Sequence, residues 1–323
     1  MKKAVFTLIL ALCLAILIPF ASFAQTDPIQ IGVLQLVEHP ALDAAYKGFV
    51  DGLSKAGFVD GENIEIDFRN AQADQSNLMT MSDRFVKNNV DLILAIATPA
   101  TQSVASATST IPILFTAVTD PVAARLVESW EKPGLNVTGV SDIGPIKDQI
   151  NLCRRLLPEA RTIGIIYNSS EVNSEVQAKE AEKYANEAGF KVEFGTVTSV
   201  NDIEQVATSL AAKSDIFYVP TDNTIASAIP NLVQVAQEKG LLIVGGEEGQ
   251  VESGAAATIS ISYYKLGLQT AAMAVRILKD GATPADLPVE KLEDTDLIIN
   301  QAYADEIGYT YPKEILDAAN TVY

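Results

Sequence analysis

The chain predicts an α/β protein of two similar units, each a parallel sheet wrapped by helices, with a hinge between them. Three observations carry that expectation. Short β-branched and apolar runs alternate with helical patterns from residue 29 to residue 244, the order that builds doubly wound parallel sheets. The pattern breaks once, over residues 120–139, where Pro121, Trp130, Pro133, Gly134 and Gly139 fall, and then restarts. The halves also echo one another: Ile31-Gly32-Val33 matches Ile163-Gly164-Ile165, and Ala56-Gly57-Phe58 matches Ala188-Gly189-Phe190. With 323 residues, there is chain enough for two full cores.

Taken in order, residues 29–37 read as a strand and 42–56 as a helix, with Gly57 placed to end it in a left-handed turn. Residues 63–69 alternate polar and apolar side chains, as an edge strand does. A helix over 75–88, a buried strand over 92–97, a short helix over 101–107 and a strand over 113–116 complete the first unit. The second opens with a helix over 146–157 and a strand over 162–167. A helix over 172–188 follows, closed by Gly189, then a strand over 191–197 and a helix over 203–212. Strands over 215–219 and 242–244 flank a helix over 224–239 that Gly240 closes. Beyond lie a strand over 255–262, a helix over 266–278 and a last strand over 297–300. Chain that runs past the second unit can return to the first, and several crossings make a hinge. The expected division is a leader at 1–24, a first lobe from 27–140 with 263–290, and a second from 141–262 with 291–323.

The N-terminus reads as a secretory signal peptide. Lys2 and Lys3 precede an apolar run over 4–20, and the small residues Ser22 and Ala24 suit cleavage after Ala24. The alternative is a retained anchor, for which the run is at the short limit of a span. Cys13 follows Leu12 rather than a small residue, so lipidation is not expected, and export without a lipid points to a periplasm. Cys153 is then a lone thiol among the apolar helix positions Ile150, Leu152, Leu156 and Leu157, which predicts buried packing. The formal charge is −18, and loss of the two leader lysines makes the remainder more acidic still. That argues against nucleic acid or anionic lipid as partners.

In open α/β sheets, ligands bind beyond the carboxyl ends of the strands. Those ends read Glu38-His39-Pro40, Thr98-Pro99-Ala100-Thr101-Gln102 and Thr119-Asp120 in the first unit. In the second they read Tyr167-Asn168, Glu171-Val172-Asn173, Asp222-Asn223 and Gly246-Glu247. They hold hydroxyls, amides and carboxylates and almost no Lys or Arg, a lining for a small polar ligand. The same residue types cap helices, so each position alone fits either reading. The 15 candidates are His39, Pro40, Thr98, Ala100, Thr101, Gln102, Thr119, Asp120, Tyr167, Asn168, Glu171, Asn173, Asp222, Asn223 and Glu247.

No catalytic set emerges. With one histidine in the chain, His39, multi-histidine metal sites are excluded. There is no Gly-x-Ser-x-Gly elbow, no phosphate loop and no Gly-x-Gly-x-x-Gly after the first strand. Adjacent Glu247 and Glu248 do not make the facing pair that glycoside chemistry needs. Neither a cofactor nor a metal is expected, and the reading is a binding protein.

At the strand ends the sequence resembles the type I periplasmic-binding-protein-like component of ABC transporters, in the group that includes tryptophan- and tyrosine-binding lipoproteins. The matching segments are His39-Pro40-Ala41-Leu42-Asp43, Ala97-Thr98-Pro99-Ala100-Thr101-Gln102, Thr119-Asp120-Pro121 and Asn136-Val137-Thr138-Gly139-Val140. They continue with Tyr167-Asn168-Ser169-Ser170-Glu171-Val172-Asn173-Ser174, Pro220-Thr221-Asp222-Asn223 and Tyr263-Tyr264-Lys265-Leu266-Gly267. The resemblance implies two Rossmann-like lobes joined by three crossovers, a ligand between them, and a permease with its ATPase as partners of a monomer. It suggests an amino acid ligand, often aromatic. On that basis Thr98, Thr101 and Gln102 would hold the carboxylate, helped by Thr119. Asp222 would pair with the ammonium beside Asn223, and Tyr167, Asn168 and Glu171 would close from the second lobe. A ring would stack near Tyr167 or the His39-Pro40 loop. The absent lipobox departs from the lipoprotein members and bears only on anchoring. A sugar or nucleoside ligand, or service as a sensor for a separate receptor, are the rival readings.

Overall fold

The computed structural model describes residues 27–323; the signal-peptide reading and Cys13 lie outside them. The first lobe runs β1 (Ile29–Gln35), α1 (Pro40–Lys55), β2 (Ile64–Asn70), α2 (Gln75–Asn88), β3 (Leu92–Ile96), α3 (Thr98–Ala107), β4 (Ile113–Thr116) and β5 (Val137–Ser141). The second runs α4 (Ile146–Leu156), β6 (Thr162–Asn168), α5 (Val172–Glu187), β7 (Lys191–Val197), α6 (Ile203–Ala211), β8 (Ile216–Val219), α7 (Asn223–Ser227), α8 (Ile229–Lys239), β9 (Leu242–Gly245), α9 (Glu248–Glu252) and β10 (Ala257–Ser260). The chain then returns to the first lobe with α10 (Tyr263–Asp280) and β11 (Glu290–Lys291). It ends in the second with β12 (Asp296–Ile299), α11 (Gln301–Ile307), α12 (Lys313–Ala318) and β13 (Thr321–Val322).

Sheet order is β11-β5-β4-β3-β1-β2 in the first lobe and β13-β12-β10-β9-β8-β6-β7 in the second. Among the described residues every strand pairing is parallel except that of β10 with β12. Parallel strands covered on both faces read as unbroken apolar runs, and β3, Leu-Ile-Leu-Ala-Ile, is buried at every position. β2 lies at the sheet edge with only Ile64 fully buried, as its polar alternation predicts. Each lobe has its own apolar core. Cys153 is a free thiol buried in the second.

Chain passes between the lobes at residues 142–145, 261–262 and 292–295. The return helix is indispensable to the first lobe. α10 crosses α1 with backbones in contact, because the crossing points are Gly48 and Gly267. A Cβ on Gly48 would lie 2.1 Å from the Tyr264 carbonyl oxygen, and one on Gly267 would lie 2.0 Å from that of Ala45.

Three expectations need correction. The stretch expected as a connection over 120–139 contains the start of β5. Its strand signal is diluted by Gly139, which must be glycine because a Cβ there would meet the Phe115 carbonyl oxygen at 2.1 Å. The helix expected over 224–239 is two helices, broken at Ala228, because Pro230 in the first turn of α8 has no N–H to continue the ladder. The stretch after residue 300 adds two helices and an edge strand that sequence periodicity did not reveal.

Candidate functional site

Both sheets reverse their connection order beside their first strand, between β1 and β3 and between β6 and β8. Ligands of open α/β sheets bind at such points, outside the strand C-termini. The first reversal is bordered by His39 and Thr98, the second by Glu171, Asp222 and Asn223. The lobes meet across this seam. His39 Nε2 lies 3.4 Å from Asn223 Oδ1. Gln177, on the second turn of α5, donates to the Thr119 hydroxyl at 3.2 Å. α9 approaches the start of α1 so closely that a Cβ on Gly249 would lie 2.9 Å from the Ala41 nitrogen.

Four carboxylates are buried along the seam, Asp142, Glu171, Asp222 and Glu247, and no lysine or arginine among the described residues is buried anywhere. Three of the four have both oxygens engaged. Glu171 accepts from Asn223 Nδ2 at 2.6 Å, from the Thr224 hydroxyl at 2.8 Å and from the Thr224 N–H at 3.0 Å. Asp222 caps α7 by accepting from the Ile225 N–H at 2.9 Å, and its other oxygen takes the Asn168 N–H at 2.6 Å. Burial, and then the neighbouring Glu171, hold its carboxyl above the usual carboxylate range. Asp142 accepts from Thr119 at 3.0 Å and from the Tyr263 hydroxyl at 2.8 Å, and burial raises it too. Glu247 differs: one oxygen caps α9 through the Gly249 N–H, the other has no partner, and burial pushes its carboxyl up to about 8.

Unpartnered buried polar atoms are costly and call for an explanation. Glu247 Oε1, Thr98 Oγ1, His39 Nδ1 and Asn173 Oδ1 are four of seven such atoms among the described residues, and these four belong to candidate residues at strand ends. Burial lowers the His39 ring to about 4 against the bond to Asn223. The ring is therefore neutral at pH 7. If Nε2–H donates to Asn223, the assignment the network favours, Nδ1 is a bare acceptor. The site thus offers a hydroxyl beside the N-terminus of α3, a carboxyl oxygen and two neutral acceptors. A groove of about 390 Å³ lined by Asn168, Glu171 and Asn223, though by none of those four residues, has Leu36, Val37, Leu78, Pro99 and Val200 as its apolar members.

Several expected residues are engaged elsewhere. The Thr101 hydroxyl bonds the Ala97 carbonyl at 2.9 Å and Gln102 bonds that of Ala124 at 3.2 Å. Asp120 caps its own turn through Val122 and Ala123. Asn168 ties Thr224 and Ser170. Tyr167 turns away from the seam, packing edge-on against Phe194 at 6.0 Å and facing Glu175, Lys179 and Glu182 of α5. Side chains alternate along a strand, so the ring could not share the seam with Asn168. Pro40 and Ala100 serve as backbone: Pro40 starts α1, and Ala100 is buried in the first turn of α3. Sequence reading missed Asp142, Gln177 and Tyr263 as polar members of the seam. Asp142 follows β5, the strand hidden in the connection, and nothing in sequence marks a glutamine two turns into a helix as cleft-facing.

The chain matches the family described as ABC transporter substrate binding protein over residues 30–323. It is 45% identical over 271 residues to the tyrosine-binding protein of Clostridioides difficile (strain R20291), covering 84% of this chain and 78% of that one. Among solved structures it is similar to the ABC domain from Streptococcus pneumonia in complex with L-Trp, with TM-score 0.88 and 44% identity over 92% of this chain and all of that one. It is also similar to the ligand-free, open structure of a substrate binding protein with adhesive properties from Clostridium difficile, with TM-score 0.69 and 46% identity over 91% and 98%.

Proposed function

From the premise that this chain belongs to the ABC transporter substrate-binding proteins, a family that binds solutes and does not transform them, we propose that it captures an aromatic L-amino acid between its lobes and delivers it to a membrane permease driven by an ATPase. The observation that carries this reading is the set of unpartnered polar atoms at the seam. Thr98 and the free N–H groups at the start of α3 suit a carboxylate. The cation-free group of buried acids suits an ammonium. The apolar flank of Leu36, Val37 and Pro99 suits a ring. Closure then removes the ligand from water, with Gln177–Thr119 and His39–Asn223 bridging the lobes. A leader cleaved after Ala24 would place the mature chain outside the cytoplasmic membrane, in a periplasm, as a monomer.

Titration calorimetry of the purified protein with L-tryptophan, L-tyrosine, L-leucine, glucose and adenosine tests the reading. Micromolar or tighter binding of an aromatic amino acid is expected. A saturable response to glucose or adenosine, with none to the amino acids, overturns it.

A further inference from the structure

Strand β3 runs into α3 through a single residue. β3 ends at Ile96 and α3 begins at Thr98, whereas α1, α5, α7 and α9 begin after two to four intervening residues. The joining residue, Ala97, is bent to φ 84° and ψ 156°, a conformation open to glycine and strained for a residue with a Cβ. It is wholly buried and pinned on both sides. Its N–H donates to the Thr116 carbonyl at 3.1 Å, and its carbonyl accepts the Thr101 N–H at 3.1 Å and the Thr101 hydroxyl at 2.9 Å. The next strand ends in a similar bend: Ala117, directly after β4, has φ 57°. Thr98, which the elbow at Ala97 carries, is 2% exposed and its hydroxyl has no partner. Pro99 has no N–H, so Thr98 and Ala100 supply the N–H groups that precede the first helical bond of α3, made by Thr101.

On the reading of the cleft given above, we propose that Thr101 is a positioning residue that acts through Ala97: its hydroxyl clamps the strained elbow, and the elbow holds the Thr98 hydroxyl and the N–H groups of Thr98 and Ala100 in place for the ligand's carboxylate. Strain of this kind persists only where the surrounding structure over-determines it, and it gathers at ligand clamps. Threonine hydroxyls commonly bond the carbonyl four residues back in a helix. Here that carbonyl belongs to the one residue that joins strand to helix, so the bond opposes the elbow's tendency to relax. Without it the first turn of α3 is free to drift, and ordering it again costs affinity. The side chain of Thr101 is thus spent one step behind the ligand. Gln102 stands in the same relation, since its amide ties α3 to the Ala124 carbonyl at 3.2 Å. A glycine at position 97 would hold the same bend without strain, and the clamp would then have nothing to oppose.

A second-site rescue in the full mature protein tests this, with calorimetry against L-tryptophan and L-tyrosine. Thr101→Val keeps the shape and removes the hydroxyl, and should raise Kd about three- to tenfold. Thr101→Ser, which restores the hydroxyl, should bind as wild type does. The double variant Ala97→Gly with Thr101→Val should return to within about twofold of wild type, because interacting residues are not additive. Wild-type affinity in Thr101→Val overturns the proposal. So does a loss that Ala97→Gly fails to rescue, which is the result for a threonine that touches the ligand or serves only the core. Hydrogen exchange of the ligand-free proteins reads the elbow without any ligand. Amides over residues 96–101 should exchange faster in Thr101→Val and return to the wild-type rate in the double variant; equal rates in all three overturn the clamp. Failure of the wild type to bind any amino acid would refute the reading of the cleft, and the exchange rates would still decide the elbow.

Discussion

Replacing Thr98 with valine should make the ligand-free protein more stable and the ligand weaker. The Thr98 side chain is 2% exposed and its hydroxyl has no partner. A buried hydroxyl in that state costs about 1–3 kcal/mol, and an apolar group of the same shape removes the cost. Threonine and valine have nearly equal helix propensities, so the first turn of α3 is otherwise indifferent. Taking about 1 kcal/mol as the net gain, the melting temperature rises by about 2 °C for a protein of this size. On the proposed reading, the same hydroxyl donates to the ligand's carboxylate in the complex. Losing a hydrogen bond to a charged group costs about 1.5–3 kcal/mol, or about 10- to 150-fold in Kd. Differential scanning calorimetry without ligand and titration calorimetry with L-tryptophan read the two quantities separately. A variant that melts lower than wild type while binding equally well would refute the assignment, since the hydroxyl would then be serving the fold and not the ligand.

Asp222→Ala should unfold at lower urea, by about 2–4 kcal/mol, because it removes the cap of α7 and strands the Asn168 N–H; stability unchanged while binding disappears would restore the ammonium role expected from sequence. Gly267→Ala drives a methyl to 2.0 Å from the Ala45 carbonyl oxygen and should cost about 3 kcal/mol or more by chemical denaturation. Ligand-free stability should decline as pH rises from about 5 to 8, because Glu247, Asp222 and Asp142 are all raised by burial and only His39 opposes them. The sign follows from opposed groups. Glu247 is raised to about 8, so its contribution is complete below its unfolded value of 4.5 and is lost as pH climbs through 8. His39 is lowered to about 4, so its contribution is complete above 6.5 and is lost as pH falls through 4. Urea titrations across this range should show the high-pH decline shrink in Glu247→Gln.

The alternating pattern was legible because parallel strands must be apolar on both faces; β3 and β8 are buried at every position. β5 was not, because Gly139 serves a close approach to Phe115 and Thr138 bonds the Leu287 carbonyl. The candidate site was legible at the level of loops and less so at the level of atoms. Reading strand ends found His39, Thr98, Asn173 and Glu247, which keep free polar atoms. The same reading also gathered Asp120 and Asp222, whose oxygens are spent on capping, and Thr101, whose hydroxyl donates to the Ala97 carbonyl. Sequence cannot separate these groups, since a cap and a ligand contact want the same side chains. Only the count of bonds already made divides them.

The close crossing of α10 on α1 has a consequence for how the protein is made. Residues 29–141 emerge first from the ribosome, yet the helix that covers their sheet comes from residues 263–280. Until it arrives, the small-residue face of α1 and the flank of β4 and β5 have no cover. The second lobe is no better placed, since β12 and β13 come last of all. Neither half can be finished during synthesis, and long-range contacts of this kind delay folding. Nascent chains halted near residue 262 should be protease-sensitive along their whole length and prone to aggregate.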